Sequence, residues 1–185
     1  MGLTRVVEAD LAPLKLLLDT VPPLLRQRAA DAIAARDQQA AATYLQALRL
    51  ELESLVIQLN AAVDGLLLIL VTRWKGSAIT PSYTKQYRYT WLTDLENEFG
   101  FKRADLKGWQ EVEETGTDSN LIKHRLGLNL AAGRETPLAI NRVVELTEAT
   151  VLSRFLGVRS WLLELIDRCK RLDEPNVPPN KQSVR

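Results

Sequence analysis

The sequence predicts an all-α fold, an up-and-down bundle of about five to six helices around one long central helix. Three observations predict it. The residues Leu45, Leu48, Leu52, Leu55, Leu59, Ala62, Leu66 and Ile69 alternate steps of three and four, which keeps one apolar stripe on a helix. The run from Leu24 to Ala42 is rich in alanine, which loses no side-chain entropy on becoming helical. No segment has the alternating period of a strand, and no internal repeat is present.

In chain order, Leu3, Val7, Leu11, Leu14 and Leu18 predict a short N-terminal helix over Leu3–Thr20, irregular at Pro13 and stopped by Pro22-Pro23. The alanine-rich run is expected to lead into the central rod, which carries the stripe and ends near Trp74. Gly76, Ser77 and Pro81 mark a loop over Lys75–Ser82. Tyr83, Tyr87, Trp91, Leu95 and Phe99 recur every four residues and predict the next helix, with Gly100 placed for a left-handed cap. A shorter helix is expected over Asp105–Glu114, interrupted at Gly108 and closed at Gly116. Asp118 or Ser119 then caps a helix over Asn120–Leu126 that Gly127 ends. Thr136-Pro137 is a start signal for the last long helix, whose stripe is Phe155, Val158, Leu162, Leu165, Cys169 and Leu172, with a bend expected at Gly157.

Composition excludes several classes. At 185 residues and 46% apolar, the chain suits one domain, expected to span 1–172, with a polar, proline-bearing tail over 173–185 that cannot bury enough surface to fold. Lys and Arg number 24 against 23 Asp and Glu, so no overall field draws the molecule to nucleic acid or an anionic membrane. Cys169 has no partner for an internal disulfide, and Arg5, Glu8, Asp10 and Lys15 interrupt any signal-like apolar core. A cytoplasmic location is expected. The most apolar stretch, Leu55–Val71, holds Gln58, Asn60 and Asp64 and reads as buried core; no membrane association is expected.

The chemistry is narrow. With one histidine and one cysteine there is no zinc site and no Cys-His pair, and Leu121 stands where a di-iron Glu-x-x-His motif needs its glutamate. No Walker or G-x-G-x-x-G loop is present, and no metal or cofactor is expected. Asn120 and His124 are four apart, hence on one helix face. An imidazole there can act as general acid or base toward a ribose hydroxyl with Asn120 orienting it, and Lys123, Arg125 and Arg134 are the nearby cations for a phosphate. The bland alternative is a single histidine that packs or caps near a helix end.

The segment Leu92–Gly127 resembles the HEPN domains (higher eukaryotes and prokaryotes nucleotide-binding). A helix with a Trp and acidic residues leads into Asn120, Leu121, Ile122, His124, Arg125 and Gly127, similar to the family's RN-L-I-x-H-R-x-G motif. The resemblance implies a helical bundle that forms a homodimer and pairs two motifs into a metal-independent RNA-cleaving site, in toxin-antitoxin, CRISPR or phage-defence systems. RNA and a cognate antitoxin are the partners it suggests. It covers about a fifth of the chain in its specific part. The family's active pattern places an Arg before the His at a position that here falls on Thr117, Asp118 or Ser119, none of them basic. A copy without that cation is expected to be weak or inactive as a ribonuclease unless Lys123, Arg125 or Arg134 substitutes. The competing expectation is a non-catalytic helical interaction or adaptor protein, or a small ribonucleoprotein subunit. Tyr83, Lys85, Tyr87, Arg88, Tyr89 and Trp91 read as a core stripe with a solvated face rather than an RNA platform. Arg154, Arg159, Arg168, Lys170 and Arg171 read as surface.

Overall fold

The computed structural model describes residues 2–75, 86–125 and 146–169, with backbone alone at 86, 87, 124 and 125. The predicted loop over Lys75–Ser82 beyond its first residue, the Thr136-Pro137 signal, Arg134, Gly127 and the tail lie outside these residues. Five α-helices are described: α1 (Leu3–Ala34), α2 (Gln38–Lys75), α3 (Gln86–Phe99), α4 (Trp109–Arg125) and α5 (Glu148–Arg168), with a 3-10 turn at Arg103–Asp105. No strand occurs among the described residues. The all-α bundle expected from the apolar spacing is what forms.

α1 and α2 make an antiparallel hairpin. The proline pair does not stop α1: Pro13, Pro22 and Pro23 all lie inside it. Each proline removes a backbone donor and costs helix stability, about 3 kcal/mol in an interior position. The helix persists because Leu11, Leu14, Leu18, Pro22, Ala29 and Ala32 stay in phase as one buried stripe along the hairpin. Nor does the alanine-rich run lead unbroken into the rod. The chain turns at Ala35–Asp37, where Arg36 takes a left-handed conformation (φ 61°). The amides of Arg36 and Asp37 bond the carbonyls of Ile33 and Ala32, closing α1 with a Schellman-type end. Asp37 Oδ1 then accepts from the Ala40 amide at 2.9 Å and caps α2.

α2 is the expected central rod. Leu52, Leu55, Val56, Leu59, Val63, Leu66, Leu67, Leu70 and Val71 are buried, whereas Leu45 at its outer end is exposed. Part of α2 is long and apolar enough to cross a membrane, and half of that stretch is buried in the bundle. α3 ends as expected at Gly100 (φ 70°), whose amide bonds the Glu96 carbonyl at 2.9 Å.

α4 is longer than the sequence spacing suggests. It passes through Gly116 without closing, so Asp118 and Ser119 are interior helical residues rather than caps. Gly116 is where α4 approaches α2 and α3: a Cβ there would stand 3.3 Å from Arg88 Nη1 and 3.5 Å from Asn60 Oδ1. The missing side chain serves close packing, not helix termination. α5 starts at Thr147, whose hydroxyl accepts from the Thr150 amide at 3.1 Å. Its backbone at Thr147 is extended, so this helix does not run on from Thr136-Pro137. Gly157 lies in the helix at a contact: Gly108 (φ 92°) packs so tightly there that a Cβ on it would lie 2.0 Å from the Gly157 carbonyl oxygen.

α1, α2, α4 and α5 pack as a ring of neighbours, with α3 on α2. Val158, Trp161, Leu162, Leu165 and Cys169 of α5 are wholly buried. Ion pairs set the registers. Arg159 grips Glu8 at 2.5 Å and Arg26 meets Glu148 at 3.3 Å, so α5 runs antiparallel to α1.

Candidate functional site

The sequence places the candidate site on the last two turns of α4, where Asn120 and Lys123 are both half-buried. Residue 124 follows one turn after Asn120 on the same helix. Thr115, Ser119 and Ile122 form the inner face of α4 and have essentially no exposure. Glu113 and Thr117, on the opposite face, are exposed. The backbone at 124 is in helical register with those two, being seven and eleven residues farther on. Among the described residues, Asn120 and Lys123 lie along an edge of α4 between its buried and its exposed faces.

The three positions where the HEPN-like pattern requires a cation hold none. Thr117 is exposed, Ser119 is fully buried, and Asp118 is tied to α5. Arg154 Nη1 lies 2.5 Å from Asp118 Oδ2, and its Nη2 lies 3.7 Å from Glu114 Oε2. Arg154 is only 8% exposed, which corrects the expectation that it lies at the surface; Arg168 is exposed as expected. A guanidinium can be buried when carboxylates neutralise it, and two acids one turn apart on α4 do so. The signal was present in the sequence: Arg154 falls in step with Val151, Phe155 and Val158, the buried stripe of α5. Its Nε, the Ser119 hydroxyl and the Trp161 Nε1 are buried without a hydrogen-bond partner.

On the other side of α4, Arg88 of α3 donates to Asp64 Oδ1 at 2.5 Å and to Asn60 Oδ1 at 2.9 Å. Asn60 is itself buried at 7% exposure. Arg88 thus joins α3 to α2 beside Gly116 and is committed to structure. Arg103 is committed likewise. It bonds both carboxylate oxygens of Glu96, donates to Thr93, and lies between the rings of Tyr89 and Trp109 at 5.8 and 5.9 Å. The hydrogen bond from Arg103 holds the Glu96 carboxyl below its usual pKa of 4.5, against the upward push of burial. Of the aromatic and basic cluster, Trp91 is core and Tyr89 is exposed. The remaining cations near the motif in sequence, Arg125 and Arg134, lie beyond the described side chains.

The sequence leading into the site is acidic. From Asp94 to Asp118 the chain carries eight acids (Asp94, Glu96, Glu98, Asp105, Glu111, Glu113, Glu114 and Asp118) and three bases (Lys102, Arg103 and Lys107). The stretch has a net charge of −5 in a chain of net +1, so the rest carries +6. Among the described residues, no group of His, Cys, Asp and Glu is arranged to hold a metal ion. Comparison of the chain with family models, with curated proteins and with solved structures returned no match.

Proposed function

We propose that this chain is a HEPN-like helical domain that works by binding and does not cleave RNA. The observation that carries the reading is the Arg154–Asp118–Glu114 cluster. None of the three positions where the motif calls for a cation, Thr117, Asp118 and Ser119, holds one, and Asp118 is paired with the buried Arg154, which Glu114 also faces. General acid-base chemistry on a phosphodiester needs an unpaired cation to stabilise the developing charge. With no base at Thr117, Asp118 or Ser119, Lys123 is the one cation among the described side chains next to Asn120 in sequence that is left for that role. The test is incubation of the full chain, free of metal, with a mixed RNA pool beside a His124→Ala control. Both proteins are expected to leave the RNA intact; cleavage by the parent that the substitution removes would overturn the reading.

Protein is the favoured class of ligand. Leu16, Leu24, Ile33, Leu45, Leu50, Leu152 and Leu156 stand exposed, apolar side chains that a protein partner can cover. This matches a regulatory or adaptor role, with a cognate protein of a toxin-antitoxin or phage-defence pair as one form of partner. A second reading, weak RNA binding, has one observation in its favour: Asn120 and Lys123 reach partly into solvent at the end of α4. Under it, Lys123→Ala weakens binding of single-stranded RNA and lowers its salt dependence. Binding unchanged by that substitution, or absent in the parent, rules it out.

A further inference from the structure

We propose that the outer third of α1, residues 24–34, is a hinged strap that opens from α2 as a unit while the rest of the bundle stays folded. The hinge is Pro22-Pro23. A proline has no amide, so the carbonyls of Leu18 and Asp19 lose the helical donors that would continue the ladder into this segment. Thr20 weakens the same turn: its Oγ1 donates to the Leu16 carbonyl at 2.7 Å, a back-bond of the kind that bends helices.

The strap is lightly held, first because of what it buries. The inner part of α1 buries Leu3, Val7, Leu11, Leu14 and Leu18, whereas past the hinge only Ala29 and Ala32 are buried. Each of these brings one methyl group to the contact where a leucine brings four carbons. Leu25 is half-buried, and Leu24 and Ile33 stand 55% and 62% exposed. The second reason is the set of neighbours. α5 runs antiparallel to α1 and begins at Glu148, beside Arg26, so it extends away from the strap. α4 packs on α2 and α5, and α3 packs on α2. Among the described residues α2 alone holds the strap, and no side-chain hydrogen bond or ion pair joins residues 27–34 to it. A segment this short is marginal as a helix by itself, and the prolines uncouple it from the anchored part of α1. Opening uncovers Ala41 and the half-buried Leu48 of α2. With Leu45 these carry the apolar stripe of α2 outward from Leu52 for about three turns, so the strap switches that stripe between covered and bared.

Native-state hydrogen exchange of the full chain, read by mass spectrometry on proteolytic fragments, tests the opening whatever the outcome with RNA. After correction for intrinsic rates, amides of residues 27–34 are expected to exchange at least about a hundredfold faster than those of 158–166. Ile166→Val, in the core of α5, should speed the 158–166 amides about fivefold and leave the strap's rate unchanged, because α5 stays packed when the strap opens. Pro23→Ala returns a donor to the Asp19 carbonyl and should slow the strap's exchange at least about tenfold. Pro13→Ala adds a donor in the inner part of α1, which stays folded in the open form, and should leave the strap's rate as it was. A strap as well protected as α5 overturns the proposal. So does an Ile166→Val protein in which both regions speed up alike, or a Pro23→Ala protein whose strap exchanges no more slowly than that of Pro13→Ala.

Discussion

Gly108→Ala tests the packing between the start of α4 and the middle of α5. Two separate effects oppose a methyl group there. The residue has φ 92°, a region open to glycine and strained for any L side chain, at a cost of about 1–2 kcal/mol. The new Cβ would also lie 2.0 Å from the Gly157 carbonyl oxygen and 2.7 Å from its carbonyl carbon. These are backbone atoms inside α5, so relief requires shifting a helix whose Val158, Trp161 and Leu162 are wholly buried. Overpacking of that kind costs about 1–3 kcal/mol. Together the loss is about 2–5 kcal/mol, a large part of the roughly 5–15 kcal/mol that holds a domain folded. Urea unfolding followed by circular dichroism measures it. The control is Gly65→Ala in α2, where a Cβ meets nothing within 4 Å and better helix propensity should raise stability by about 0.5–1 kcal/mol. A Gly108→Ala protein within about 1 kcal/mol of the parent would refute both the strain and the close approach.

Other perturbations follow from the same structure. Arg154→Ala takes the guanidinium from two carboxylates and should cost about 3–5 kcal/mol, whereas Arg154→Met with Asp118→Leu should regain most of it, measured by chemical unfolding of both variants. Arg36→Gly relieves a left-handed turn and should add about 0.5–1 kcal/mol; an unchanged or lower melting temperature would contradict the turn geometry. Because Arg103 lowers the Glu96 pKa, the carboxylate adds stability above the unfolded value near 4.5, and that contribution fades as pH falls through the folded one. The stability gap between the parent and Glu96→Gln should thus be full at neutral pH and shrink in acid; a gap independent of pH would remove the Arg103 pair as its source.

The candidate site was only partly legible in the sequence. The four-residue spacing of Asn120 and His124 correctly puts both on one helix, since helical geometry alone fixes that relation. What Asp118 contacts is not a local matter. Its partner Arg154 is 36 positions away, and only the packing of α4 on α5 brings them together. The arginine looked like surface because charge usually prefers water. It is buried because Glu114 and Asp118 neutralise it.

The sequence by itself determined the all-α class, the long rod, the Gly100 stop and most of the buried stripes, because apolar periodicity and glycine conformation are properties of a single segment. Tertiary structure alone decided where two helices continue. α1 runs through Pro22-Pro23 because its apolar stripe, Pro22 included, stays in phase against its neighbours and outweighs the lost hydrogen bonds. α4 runs through Gly116 because a missing side chain there lets Arg88 and Asn60 approach, and a residue that ends a helix in isolation becomes a point of contact within the bundle.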